Sequence, residues 1–151
     1  MALQNLDLTT SYPVSVKEKL FGIVQLKRTI DKGIAAAHGN VGEYHYDCPM
    51  DKAVFAFLGL EAQPLLDVIK QARSRADIEA YVKPFVEKKS PAELEEWNAE
   101  WLKRGPAAGS EGEKYFLELR AQLAPERTDI TSWPDLLDLD EKREVPRAVS
   151  A

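Results

Sequence analysis

The feature that most constrains this chain is a long stretch of helical periodicity that opens on a capping box. Ser15-Val16-Lys17-Glu18 sets a serine three residues ahead of a glutamate, so hydroxyl and carboxylate can each satisfy an orphan amide of a first helical turn. Val16, Leu20, Ile23, Val24, Ile30 and Ile34 then recur at helical spacing, with Lys19, Lys27 and Asp31 falling between them. Gly39 supplies a stop. The pattern predicts one long amphipathic helix from Ser15 to about Ala37, with the His38 side chain favourably placed at its C-terminal dipole.

The rest of the chain repeats the theme in shorter pieces. Helices are predicted over about 51–58, 62–72 and 76–86, with Gly59 ending the first. Pro64 falls in an opening turn, Ser74-x-x-Asp77 enters the third, and Pro84 marks its final turn or a kink. SPAEL at Ser90 is the cleanest start signal: a capping serine, a proline at the first helical position, and Glu93 completing the box. Leu94, Trp97, Trp101 and Leu102 line one side of that helix. After the loop 104–110 another helix spans about 111–123 and stops at Pro125. A short capped helix at Thr131 or Ser132 then docks Trp133, Leu136 and Leu137.

Between residues 39 and 49 the pattern changes. Gly-Asn-Val-Gly leads into Glu43-Tyr44-His45-Tyr46-Asp47-Cys48-Pro49, turn residues followed by β-prone aromatics, which predicts an extended loop or a short strand.

Charge and cysteine usage exclude several function classes. A net charge of −5 and a pI near 5.1 repel phosphate backbones and anionic membrane surfaces. No run of Lys/Arg exceeds two residues, so neither nucleic acid nor membrane is an expected partner. The acids cluster: residues 129–144 hold six against two bases. A lone Cys48 makes no intrachain disulfide, and the opening MALQNLDLTT has neither a basic nor an apolar leader region, so a cytoplasmic location is expected. No apolar run approaches the ~20 residues of a membrane span.

Several blocks in order along the chain are specific enough to point to a family. LDLTTSYPVSVKEKLFGIVQLKRTIDK, GEYHYDCPMD, FLGL, EEWNAEWLKRGP and PERTDITSWPDLLDLDE resemble the bacterial domain-of-unknown-function family 5069. The resemblance implies a small self-standing cytoplasmic protein and carries no activity. Within the middle block, Glu43, Tyr44, Tyr46, Cys48, Pro49 and Asp51 fit the family pattern, while His45 and Asp47 stand where other side chains are acceptable.

The same block carries most of the possible chemistry. In an extended segment Glu43, His45 and Asp47 share one face and Tyr44, Tyr46 and Cys48 the other. The first set could ligate a metal only if the strand bent, because alternate residues stand about 6–7 Å apart, and an exposed polar face is the simpler reading. The second face is either core, with tyrosines half-buried and Cys48 acting as a small hydrophobe, or a pocket wall of two phenols and a thiol. Glu43 or Asp51 would then accept the proton, and the helix starting near Asp51 would assist the thiol. Arg28 with Asp31, and Arg127 with Asp129, read as ordinary ion pairs, or as guanidinium groups free to hold a carboxylate or phosphate.

The expected fold is all-α: an irregular or orthogonal bundle of about six helices in one domain over 1–151, with one short extended segment after the first long helix. Residues 1–14 form an arm, and 145–151 a flexible, dispensable tail. The expected function is a binding module for a protein or small-molecule ligand, acting through loop 43–51 and the acidic tail, with Arg28, Glu43, Tyr46 and Arg127 as ligand-binding residues. The alternative is a small enzyme whose site is built from Glu43, Tyr44, Tyr46, Cys48 and Asp51. No metal site and no cofactor are read, and the chain is a monomer or homodimer. Cys48 is expected to be buried and slow to react, and loop 43–51 to wall the principal pocket.

Overall fold

The computed structural model describes residues 6–147. Among them the fold is all-α, with seven helices: α1 (Leu26–Ala37), α2 (Pro49–Leu58), α3 (Ala62–Gln71), α4 (Arg75–Glu87), α5 (Pro91–Lys103), α6 (Glu111–Leu123) and α7 (Trp133–Asp140). The chain divides into two compact units within α5, between Glu95 and Glu96.

In the first unit α1 packs against α2 and α3, and α3 against α4. Ile30, Ile34, Val54, Leu65, Ile69, Ile78 and Val82 are buried among these helices. Gly33 on α1 is a point of closest approach: a Cβ there would meet Ile69 Cδ1 at 2.6 Å and Tyr46 Cε1 at 3.1 Å. Gly59, at φ 78°, closes α2 in the left-handed conformation that its position in the sequence predicts.

The long first helix is corrected in its N-terminal half. Helix begins at Leu26, and residues 15–25 fold back on themselves. Ser15 makes a local turn, its hydroxyl accepting from the Lys17 amide at 3.1 Å and its carbonyl from the Glu18 amide at 3.1 Å. Leu20 and Ile23 then exchange backbone hydrogen bonds of 3.0 and 3.1 Å around a Phe21-Gly22 turn in which both residues have positive φ. Gln25, at φ 73°, donates its amide to the Val16 carbonyl at 2.9 Å. Three left-handed residues cannot wind a helix, yet Val16, Ile23 and Val24 are still fully buried, so their periodicity is that of a core with a different backbone. The short extended segment is corrected too: residues 39–48 form successive turns, with Asp47 at φ 67°, and the alternation of faces across 43–48 does not arise.

The second unit is built on serine caps. Ser110 Oγ accepts from the Glu113 amide at 3.1 Å and Ser132 Oγ from the Asp135 amide at 3.3 Å, starting α6 and α7 as the sequence predicts. Phe116, Ile130, Leu136 and Val145 form its core, with Leu119, Trp133 and Leu139 packed around them. Trp133 meets Phe116 edge-on at 5.1 Å and Leu136 is buried, as expected of the last helix, while Leu139 takes the place in this cluster expected for Leu137. The expected flexible tail is corrected at its first residue: Val145 is only 6% exposed, and its carbonyl accepts from the Arg127 guanidinium at 2.9 Å. Residues 148–151 lie outside the described residues.

Candidate functional site

The side chains around the start of α2 form a dense polar cluster. Helix α2 is entered through Cys48 as N-cap and Pro49 at the first helical position, and Asp51 at N3 reaches back to the cap. Cys48 thus stands where a capping box usually has serine or threonine. The Asp51 carboxylate is fully buried and filled on both oxygens. Oδ2 accepts from the Lys32 ammonium at 2.8 Å and from the backbone amides of Asp47 and Cys48 at 3.0 and 3.2 Å. Oδ1 accepts from the Thr29 hydroxyl at 2.5 Å and Gln25 Nε2 at 3.3 Å. Charge-assisted bonds of this kind are stronger than neutral ones, and here they tie α1 to the loop and to α2.

Lys32 has a second contact. Its Nζ lies 3.1 Å from Cys48 Sγ, so the ammonium sits between a carboxylate and a sulfur with its own side chain only 5% exposed. Cys48 itself is half-buried at the loop-to-helix junction, which corrects the expectation that it is buried.

The rest of the loop is held rather than free. The Tyr46 hydroxyl donates to the Ala62 carbonyl at 2.7 Å, and its ring meets Phe55 edge-on at 6.0 Å. Burial pushes its phenol well above the ordinary range, and the neighbouring Asp51 and Asp47 push it further. Tyr44 is half-buried beneath the Arg28 guanidinium, 5.6 Å from its ring centroid. Glu43, His45 and Pro49 are exposed along the rim, and Asp47 pairs with Lys52 at 2.7 Å. Asp51 is the carboxylate that caps α2. His38 Nδ1 lies 2.8 Å from the Ile34 carbonyl, the C-terminal position on α1 that its place in the sequence implies.

Arg28 and Asp31 are not a surface pair: each is 3% exposed. Arg28 donates to the Val14 carbonyl at 3.2 Å, while Asp31 accepts from the Val14 amide at 2.9 Å and pairs with Arg75. Together they clasp the N-terminal arm. Arg127 belongs to the second unit and is engaged by Asp129 at 2.9 and 3.1 Å and by the Val145 carbonyl. The Asp129 hydrogen bonds raise its pKa further, so it acts as a permanent cation that closes the unit's C-terminal segment. The structure therefore brings Tyr46, Cys48 and Asp51 together, leaves Glu43 on the rim, and gives Arg28 and Arg127 structural partners.

Among the described residues no group of three His, Cys, Asp or Glu side chains is placed to hold a metal ion, and no helix is long and apolar enough to cross a membrane. Two cavities lie wholly within the first unit. One of about 390 Å³ is lined by Phe21, Lys83, Val86, Glu87, Lys89, Pro91 and Leu94, and one of about 160 Å³ by Leu20, Lys27, Ile30, Arg75 and Glu79. Neither includes a residue of loop 43–51.

Sequence reasoning missed Gln25, Thr29 and Lys32. Their signal was present: Gln25 at the N-cap of α1, with Thr29 and Lys32 four and then three residues on, makes a polar stripe that faces Asp51. Stripes of this kind are usually solvated, and only the fold reveals that this one is covered. A family model described as a domain of unknown function (DUF5069) matches residues 10–143. No curated protein matches the chain.

Proposed function

Starting from the chain's membership of the DUF5069 family, which prescribes no chemistry, we propose that it is a binding module whose recognition edge is loop 43–51. The observation that carries this reading is the saturation of Asp51, with five donors on one fully buried carboxylate. A general base needs a lone pair aimed at a substrate proton, and the Asp51 oxygens are turned inward onto donors of the chain itself. The Tyr46 hydroxyl is likewise committed to Ala62, and its raised pKa favours the neutral phenol. The Asp51 carboxylate and the Tyr46 hydroxyl are spent on holding the loop. A loop held this firmly and fringed by exposed Glu43, His45 and Pro49 is the arrangement in which recognition surfaces concentrate.

The partner best suited to such a rim is a protein segment carrying a basic side chain opposite Glu43, in the reducing interior of a cell. Site-specific photo-crosslinking tests this. A photoreactive residue at His45 is expected to capture one discrete partner, the same residue at Glu118 on α6 is not, and Glu43→Lys should abolish the adduct. Equal capture from both positions, or capture indifferent to Glu43→Lys, would overturn the reading.

A further inference from the structure

We propose that Lys32 and Cys48 form an oxidant-responsive cross-link: peroxide oxidises the Cys48 thiol, and the Lys32 amine captures the oxidised sulfur in a covalent S–N bond joining α1 to the start of α2. Three observations meet at one point. Lys32 Nζ lies 3.1 Å from Cys48 Sγ with no atom between them. The Lys32 side chain is 5% exposed and held by Asp51 at 2.8 Å, so its nitrogen cannot swing into solvent. Cys48 is a half-buried residue rather than an enclosed one, and the chain holds no second cysteine with which it could form an intrachain disulfide.

The chemistry balances without any group beyond peroxide. The sulfur attacks one peroxide oxygen, the O–O bond breaks, and sulfenic acid and water form; sulfur loses two electrons and peroxide gains them. The Lys32 ammonium passes one proton to Asp51 Oδ2, which frees the nitrogen lone pair. Nitrogen then attacks sulfur and the S–O bond breaks. The departing hydroxide leaves as water with a second proton from nitrogen. This is the condensation known for sulfenic acids and backbone nitrogens, transferred to a side-chain amine already in contact. The buried site ends without net charge, since the cation is consumed and the carboxylate is protonated. Added thiol reverses it in two steps: one thiol attacks sulfur, releasing the amine and leaving a mixed disulfide, and a second thiol displaces that disulfide to restore the Cys48 thiol. The consequence is a second state of the loop, covalently fixed to α1 and protected from the irreversible sulfinic stage.

Treating the full chain with hydrogen peroxide and weighing it intact tests the proposal. The expected product is lighter than the starting protein by two hydrogens, returns to the starting mass with a thiol reductant, and yields a Lys32 peptide joined to a Cys48 peptide on proteolysis. Lys32→Arg should give oxygen adducts alone. A wild-type chain that gains one, two or three oxygens with no joined peptide, or that forms only a disulfide between two copies, would overturn the proposal whether or not the variant folds.

Discussion

Replacing Asp51 with alanine asks how much of the first unit hangs on one carboxylate. The substitution removes the acceptor for five donors and strands the Lys32 ammonium, 5% exposed, with only a sulfur beside it. Removing one partner of a buried pair costs about 3–5 kcal/mol, because the remaining charge is left uncompensated. Losing the cap at the start of α2 accounts for about 1 kcal/mol on its own, and the two overlap because they share an atom group. Against a total of about 5–15 kcal/mol, that is a large part of the unit's stability. Lys32→Met is the informative comparison. It leaves the carboxylate with the Thr29, Gln25, Asp47 and Cys48 donors, so about 1–3 kcal/mol is expected. Urea unfolding followed by far-UV circular dichroism measures both. Tryptophan fluorescence gives a separate channel, since Trp97, Trp101 and Trp133 all lie in residues 96–151. A cost below about 1 kcal/mol for Asp51→Ala, or a larger cost for Lys32→Met than for Asp51→Ala, refutes the reasoning.

Three further outcomes are expected. Gly33→Ala should destabilise by about 1–3 kcal/mol in the same urea assay, because its Cβ would press on Ile69 and Tyr46; a stabilised variant would mean helix propensity outweighs the clash. Tyr46 has a folded pKa raised above its ordinary 10.0, so stability is intact below pH 10 and falls as pH rises above it. Tyr46→Phe should flatten that alkaline loss in melts across pH 8–11, and an unchanged slope would show that another group causes it. Truncation after Glu144 removes Val145 from the core of the second unit and should cost about 1.5–3 kcal/mol by tryptophan-detected unfolding; no change would mean Val145 contributes nothing to that core.

Helix positions beyond residue 49 are legible because their signals are local. Ser90, Ser110 and Ser132 each offer an oxygen to an amide three residues on, and Gly59 needs only its own missing side chain. The first half of the expected long helix is illegible for the opposite reason. Its path turns on Phe21 and Gln25, non-glycine residues with positive φ, and nothing in their identity announces that conformation. The loop composition draws attention to residues 43–51 but does not tell its carboxylates apart. Glu43 and Asp51 look alike in sequence, and only the long-range arrival of Gln25, Thr29 and Lys32 separates a rim residue from a buried one. Arg28 and Asp31 mislead in the same way, since their spacing fits a surface pair and their partner Val14 lies upstream on a folded-back arm.

The charges buried on α1 act as addresses. Arg28 and Asp31 bind the arm at Val14, Asp31 also selects Arg75 at the start of α4, and Lys32 selects the start of α2. A purely apolar α1 would tolerate many neighbours in many registers, whereas each misdocking of this helix buries an ion without its counterpart, at several kcal/mol. The helix thereby discriminates among packings of its own chain as an interface discriminates among partners. Such addresses drift only in matched steps. Lys32 with Asp51, and Asp31 with Arg75, should therefore change together across relatives while the apolar positions between them vary freely.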